Sequence, residues 1–307
     1  MTEEEFMLFD RIEKIKQIIN KYGEENFYIS FSGGKDSTVL HYLVDLALPG
    51  NKIPRVFINT GIEYIYIYIY KFVKSLSETD DRFVILPPQK SIKKVLEEYG
   101  YPFKSKEHSL KVGAYQKGSR SKSIMEYKDG YRGIEYSKYQ CPKSLQYQYD
   151  DSFKLKISDQ CCYKLKKEPI HKWEKENNKT IAMTGMRKQE GGQRENIATC
   201  VVTRNSKVVK FHPLLVVSEG FEDWFIEKQN IQLCELYYPP YNFKRTGCKG
   251  CPFSLKLQDQ LDTMQMLLPN EKKQCELIWK PVYDEYRRIG YRLRKNKGQL
   301  TIFDIDK

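Results

Sequence analysis

Six consecutive residues, Ser32-Gly33-Gly34-Lys35-Asp36-Ser37, constrain this chain more than any other stretch. They follow the apolar run Phe27-Tyr28-Ile29-Ser30-Phe31, which predicts a strand. They precede Thr38 to Leu48, where Val39, Leu40, Leu43, Val44 and Leu46 predict a helix. A strand, a Gly-rich turn and a helix N-terminus in that order make an anion site. Paired glycines let the backbone approach a phosphate, and the first helical N–H groups point at it. Lys35 adds a point charge, and Ser32 and Ser37 add hydroxyl donors. The spacing is not that of a Walker A loop, which needs four residues between Gly and Gly-Lys.

The surrounding pattern is α/β. Residues 3–22 predict an amphipathic helix, and strands are expected at 27–31, 55–59, 82–86 and 180–184. Strands alternating with helices imply a parallel sheet whose ligands bind at the strands' C-terminal ends. Residues 201–214 read as a hairpin turning at Arg204-Asn205-Ser206. From about Glu219 the chain reads as helical, interrupted around Tyr238-Pro239-Pro240. The alternating run Tyr64-Ile65-Tyr66-Ile67-Tyr68-Ile69-Tyr70 has a strand-like period, but its place between two parallel strands calls for a crossover helix.

At 307 residues the chain holds one large domain, or one domain with a smaller appendage. No apolar run approaches a membrane span, and no signal peptide follows the acidic start, so a cytoplasmic protein without a membrane partner is expected. Eight cysteines in a reducing compartment point to metal ligands, catalytic thiols or buried apolar residues rather than disulfides. The net charge of +12 suits anionic partners such as nucleotides, DNA or tRNA, and equally a solvated Lys-rich surface. The excess is concentrated between Lys104 and Lys179, among tyrosines able to stack on bases or to sit half-buried.

Ser32–Ser37 resembles the SGGxDS loop of the PP-loop ATP pyrophosphatases, a group that includes the phosphoadenosine phosphosulfate (PAPS) reductases. Phe57-Ile58-Asn59-Thr60-Gly61 resembles that family's second-strand DTG motif, with Asn59 in place of Asp. Gly185 to Arg194 resembles its GxRxxES..R motif. The resemblance implies an α/β, Rossmann-like, adenine-nucleotide alpha-hydrolase fold: a parallel sheet with helices on both faces. It implies a nucleotide-binding domain over residues 1–218, with a basic Tyr-rich insertion at about 104–160, and a helical region over 219–307. It assigns phosphate or nucleotide contacts to Ser32, Gly33, Gly34, Lys35, Asp36, Ser37, Asn59, Thr60, Gly61, Gly185, Arg187 and Arg194. Lys35, Asp36 and Ser37 are the expected catalytic residues, with Mg2+ accompanying ATP.

Cys161-Cys162 and Cys248-Lys249-Gly250-Cys251 form a CC…CxxC pattern. It resembles the cluster ligands of APS-type reductases and of the DNA-phosphorothioation ATPases. Four thiolates can hold a [4Fe-4S] cluster, four cysteines can equally hold zinc, and a site without metal is the third reading. Cys141, Cys200, Cys234 and Cys275 read as small buried residues, and His108 as a structural histidine.

Sulfonucleotide reductases carry a C-terminal ECGLH-like segment whose cysteine attacks sulfur; here no cysteine follows Cys275. The favoured reading is therefore ATP α–β cleavage with adenylation of an acceptor in sulfur-related chemistry. A true PAPS or APS reductase using a different thiol is the alternative, and a non-catalytic nucleotide-binding module the third. Gln299-Leu300-Thr301-Ile302-Phe303 resembles the peptide by which bacterial DNA-processing proteins bind the sliding clamp, an expected partner beside a nucleic-acid acceptor.

Overall fold

The computed structural model describes residues 1–63, 68–130, 140–191, 194–244 and 246–295. In chain order come α1 (Glu3–Tyr22), β1 (Phe27–Phe31), α2 (Lys35–Ala47), β2 (Arg55–Ile58), α3 (Tyr70–Thr79) and β3 (Phe83–Leu86). Then follow α4 (Ile92–Tyr99), α5 (Lys106–Gln116), α6 (Lys122–Asp129), α7 (Glu168–Glu176), β4 (Ile181–Met183), β5 (Val201–Arg204) and β6 (Lys207–Phe211). The rest is α8 (Glu219–Lys228), α9 (Leu257–Leu267), α10 (Pro269–Ile278) and α11 (Lys280–Ile289).

The chain divides into two compact units, Met1–Pro88 with Lys166–Gly247, and Gln89–Leu165 with Cys248–Lys307. The first unit holds one six-stranded sheet in the order β3-β2-β1-β4-β6-β5. All pairings are parallel except β5 with β6. The α/β expectation is met, and each early element falls within three residues of its predicted range. The chain runs from β1 outward to β2 and β3, then crosses to β4 on the other side of β1. β1 and β4 therefore flank the point where strand order reverses, the usual place for a ligand crevice in an open α/β sheet.

Local chemistry explains the elements. Thr2 and Glu5 form a capping box at the start of α1, whose first turn is acidic. Tyr28, Val56, Ile58, Trp173 and Ala182 make an apolar cluster on one sheet face, with the Tyr28 and Trp173 rings edge to face at 5.4 Å. Asn205 and Ser206 both take left-handed backbone, which fits the twist of the β5–β6 hairpin. Tyr68 and Ile69 are helical and run into α3, in keeping with a crossover helix; 64–67 lie outside the described residues.

His41, Asp45 and Asp80 bring potential metal ligands within 4.8 Å of one another, but two arginines already occupy that charge. Arg55 donates to His41 Nδ1 at 3.0 Å and to Asp45, and Arg82 donates to both Asp45 and Asp80. Burial, then the Arg55 charge, lowers the His41 pKa to about 4, so the ring is the neutral acceptor this bond requires. The network ties α2 to β2 and the segment entering β3.

One expectation about the C-terminal region needs correction. α8 ends at Lys228 and α9 begins at Leu257, so the break is far longer than the Pro239-Pro240 site that signalled it. Among the described residues between them, only Glu235–Tyr237 forms a short 3-10 turn. Pro239, Pro240 and Pro252 lack N–H donors, and side chains hold the remaining backbone in non-helical turns.

The second unit packs α4–α6 and α9–α11 around Phe103, Val112, Leu145, Leu261, Trp279 and Tyr286. The Phe103 and Tyr286 rings meet at 4.5 Å, and Tyr286 Oη accepts the Lys104 N–H at 2.8 Å. His108 is fully buried between Tyr127 Oη at 3.0 Å and Gln148 Oε1 at 2.8 Å, which fits the structural role expected of it. Among the described residues, no helix is long and apolar enough to cross a membrane.

Candidate phosphate site and cysteine turn

The loop leaves β1 through Ser32 and enters α2 at Lys35. Gly33 turns the chain at φ +72°. The serines hold the turn from inside. Ser37 Oγ accepts from the Ser32 N–H at 3.2 Å and donates to the Gly34 carbonyl at 2.9 Å. Ser32 Oγ accepts from the Gly34 N–H at 3.3 Å and lies 3.0 Å from Ser37 Oγ. The Lys35 N–H, at the positive end of α2, donates to Tyr237 Oη at 2.9 Å, and that hydroxyl lies 3.1 Å from Thr246 Oγ1. A protein hydroxyl thus stands where a helix N-terminus offers itself to an anion.

The end of β4 closes on the same place. A Cβ on Gly185 would lie 2.6 Å from the Asp36 carbonyl oxygen, so only glycine permits this approach. Two residues on, the buried Arg187 donates from Nε to Asp36 Oδ1 at 2.9 Å. The loop after β1 and the motif after β4 therefore meet through a direct ion pair.

Three carboxylates of α8 join them. Lys35 Nζ lies 3.1 Å from Asp223, 3.6 Å from Glu219 and 3.8 Å from Glu222. Glu222 Oε2 is also 3.2 Å from Arg187 Nε. The Glu222 side chain is fully buried, and neither carboxyl oxygen accepts a hydrogen bond. Burial first, then the Asp36 charge, pushes its pKa up to about 8, against the pull of Arg187 and Lys35. For Lys35, burial favours the neutral amine, but the Asp223 hydrogen bond and the other carboxylates outweigh it and raise the pKa.

The second-strand motif lies one strand away. Thr60 Oγ1 donates to the buried Glu63 at 2.6 Å, and Lys166 Nζ lies 3.7 Å from the same carboxylate. Asn59 is half-buried and gives its N–H to the Leu86 carbonyl, while Gly61 is exposed at φ +74°. A cavity of about 150 Å³ opens at the ends of β1 and β2, lined among others by Phe31, Ile58, Glu63, Ile69, Ile170 and Thr246. An apolar space of about this volume admits a small aromatic ring.

Most of the predicted phosphate-site residues thus sit at the C-terminal ends of three adjacent strands, with Asp36 in contact with Gly185 and Arg187, and Lys35 and Arg187 both within 4 Å of Glu222. Arg194 differs: its guanidinium pairs with Glu190 at 2.9 Å. Glu219, Glu222, Asp223, Tyr237 and Thr246 escaped the sequence reading. The one signal for the acids was Ser218 before Glu219 and Glu222, but a Ser cap with an acidic first turn marks any helix start.

All four cysteines of the CC…CxxC pattern belong to the second unit. Cys161 is buried, and Cys162, Cys248 and Cys251 are half-buried. Cys161 and Cys162 open a helical run that widens to a π turn over Tyr163–Lys167 before α7. The CxxC turn is gripped through its backbone. Trp279 Nε1 donates to the Lys249 carbonyl at 3.1 Å, Tyr283 Oη to that of Gly250, and Tyr286 Oη to that of Pro252 at 2.9 Å. These donors recur at i, i+4 and i+7, one stripe from the N-cap of α11 along the helix. Among the described residues, no three cysteine sulfurs lie within 4.8 Å of one another. Sulfur donors of one type, gathered in one unit, suit a thiolate-held metal group by their chemistry, iron–sulfur or zinc alike. Of the remaining cysteines, Cys141, Cys234 and Cys275 are buried as expected, whereas Cys200 is half-buried. The stretch Gln299–Phe303 lies outside the described residues.

A Gly-rich loop, a helix N-terminus and a cation-bearing motif thus meet at the sheet's reversal point. Residues 120–254 match the phosphoadenosine phosphosulfate reductase domain, which bears out the resemblance read from the motifs. The match takes in Gly185, Arg187 and all four candidate cluster cysteines, and begins downstream of the Gly-rich loop. No curated protein matches the chain. Among solved structures, the chain is similar to a phosphoadenylyl-sulfate reductase from Candida auris in a phosphate complex. Identity is 16%, over 78% of this chain and 87% of that chain, with a TM-score of 0.45. It is also similar to an NH3-dependent NAD synthetase from Campylobacter jejuni, with 11% identity over 92% and 95% of the two chains and a TM-score of 0.41. A U34-tRNA thiolase from Methanococcus maripaludis, solved with its [4Fe-4S] cluster, shares 13% identity over 91% and 79%, with a TM-score of 0.39.

Proposed function

We propose that the chain is an ATP-cleaving enzyme that binds an adenine nucleotide at Ser32–Ser37 and adenylates an acceptor. The observation that carries this reading is the contact between Asp36 on the loop and Arg187 after β4, with Lys35 beside them. An acceptor oxygen would attack the α-phosphorus, and the α–β bridging oxygen would leave with pyrophosphate. Lys35, Arg187 and the α2 N-terminus would meet the charge that develops on the leaving group. Asp36 is the loop carboxylate that Mg2+ carried by ATP would encounter. The small cavity beyond Ser32, with Glu63 in its lining, has room for the adenine ring.

A sulfonucleotide reductase needs an accessible, low-pKa thiol. Burial instead raises the Cys141 and Cys275 pKa values to about 12 and that of Cys234 to about 11, which disfavours these three as the attacking thiol. Cys161, Cys162, Cys248 and Cys251 would hold a [4Fe-4S] cluster. Bound there, it would supply sulfur-handling or redox capacity.

The test is turnover by anaerobically purified protein given ATP, PAPS or APS separately, with candidate acceptors and a thiol reductant. Acceptor-dependent pyrophosphate from ATP, lost in Lys35→Ala, is the expected result. Sulfite from PAPS or APS would overturn it in favour of the reductase, and nucleotide binding without turnover in favour of the non-catalytic module.

A further inference from the structure

A cavity in the second unit lies apart from every residue assigned above. It measures about 870 Å³, at the upper end of the range for ligand sites. Its chemistry is unlike that of an apolar small-molecule pocket. Lys143, Lys154, Arg288 and Lys295 supply exposed cations around the half-buried rings of Tyr147 and Phe153. The two rings meet edge to face at 5.4 Å, and the Arg288 guanidinium sits 5.0 Å over Tyr147.

The one acid in the lining is already engaged. Glu285 takes two hydrogen bonds from Arg288, at 2.8 and 2.7 Å, and a third from Tyr147 Oη. By composition the lining is basic, four cations (Lys143, Lys154, Arg288 and Lys295) against the one carboxylate of Glu285. The segment supplying most of the lining is also basic, with twelve Lys or Arg against seven Asp or Glu over residues 104–160.

We propose that this groove binds a single-stranded nucleic acid, its phosphates met by Lys143, Lys154 and Lys295 and a base packed against Phe153. Cations interleaved with aromatic faces are what a single strand requires, since its bases are free to stack. A duplex hides those faces, and an acidic peptide has no use for the rings. The proposal names the acceptor class for the adenylation reading, yet it concerns binding alone and is tested without ATP, so either can fail without the other.

The experiment is fluorescence anisotropy of the full chain with a short fluorescein-labelled single strand, as DNA and as RNA, across a salt series. Three phosphate contacts on a single strand give a log–log salt slope of about −2, or about a twentyfold loss of affinity between about 50 and 200 mM salt. The triple change Lys143→Gln, Lys154→Gln, Lys295→Gln should flatten the slope by about 2; all three side chains are exposed, so folding is not at stake. Phe153→Leu, which keeps an apolar side chain, should weaken binding at least about fivefold with the slope unchanged. Which strand binds more tightly identifies the nucleic acid. The proposal is overturned if the triple variant binds as the parent does, if Lys14→Gln, Lys16→Gln, Lys21→Gln on α1 weakens binding equally, or if duplex or poly-glutamate competes better than single strands.

Discussion

Glu222 is a buried carboxyl placed between the two cations assigned to phosphate, and replacing it by Gln tests the electrostatics of the site. Its pKa rises from the ordinary 4.5 to about 8, through burial first and the Asp36 charge second. In that window the folded protein keeps a proton that the unfolded chain has lost. The stability it contributes is therefore full below about 4.5 and falls as pH rises to about 8. At about 1.4 kcal/mol for each pH step, the rise sets a ceiling of about 5 kcal/mol. Glu222→Gln cannot titrate. The stability difference between variant and parent, from urea titrations at several pH values, should grow in the variant's favour from about pH 4.5 to 8 and level off beyond. Pyrophosphate affinity gives a second readout. Above about pH 8, ionised Glu222 competes for Lys35 and Arg187, so the parent should lose affinity more steeply than the variant. Stability profiles that run parallel across the window would refute the reasoning.

Three other outcomes are expected. Gly185→Ala places a methyl group 2.6 Å from the Asp36 carbonyl oxygen and should cost about 1–3 kcal/mol in denaturant titrations, together with weaker pyrophosphate binding by calorimetry. Tyr237→Phe removes the hydroxyl that holds the Lys35 N–H; it should lower stability by about 1 kcal/mol, yet give a larger pyrophosphate-induced rise in Tm than the parent, because that amide is then open to the anion. Cys248→Ala with Cys251→Ala should abolish bound iron in anaerobically purified protein, as measured by metal analysis; zinc in place of iron in the parent would overturn the cluster assignment.

The loop after β1 was legible because its signal is local: two glycines, a lysine and two serines between a strand and a helix. Gly185 and Arg187 were legible for the same reason, each close behind a predicted strand. Glu222 was not, since nothing near it in sequence says that α8 turns its acidic first turn toward Lys35. Tyr237 lies in a stretch whose prolines forecast only a break, and a hydroxyl that reaches a distant N–H leaves no periodic trace. Arg194 fits the motif spacing, and the structure adds a partner that the spacing did not announce, the glutamate four residues earlier. The cysteine spacing did not show that Cys161 and Cys162 share a unit with Cys248 and Cys251, which the division at about 218 had set apart, and the stripe of donors Trp279, Tyr283 and Tyr286 left no trace beyond a helical reading.

That stripe has a consequence for how the turn meets its cargo. Trp279, Tyr283 and Tyr286 grasp carbonyl oxygens and leave both sulfurs out of the hydrogen bonds that fix the backbone. The turn is thus ordered through its peptide groups. Loading of the proposed cluster would then cost little chain entropy, because the backbone from Lys249 to Pro252 is held in advance.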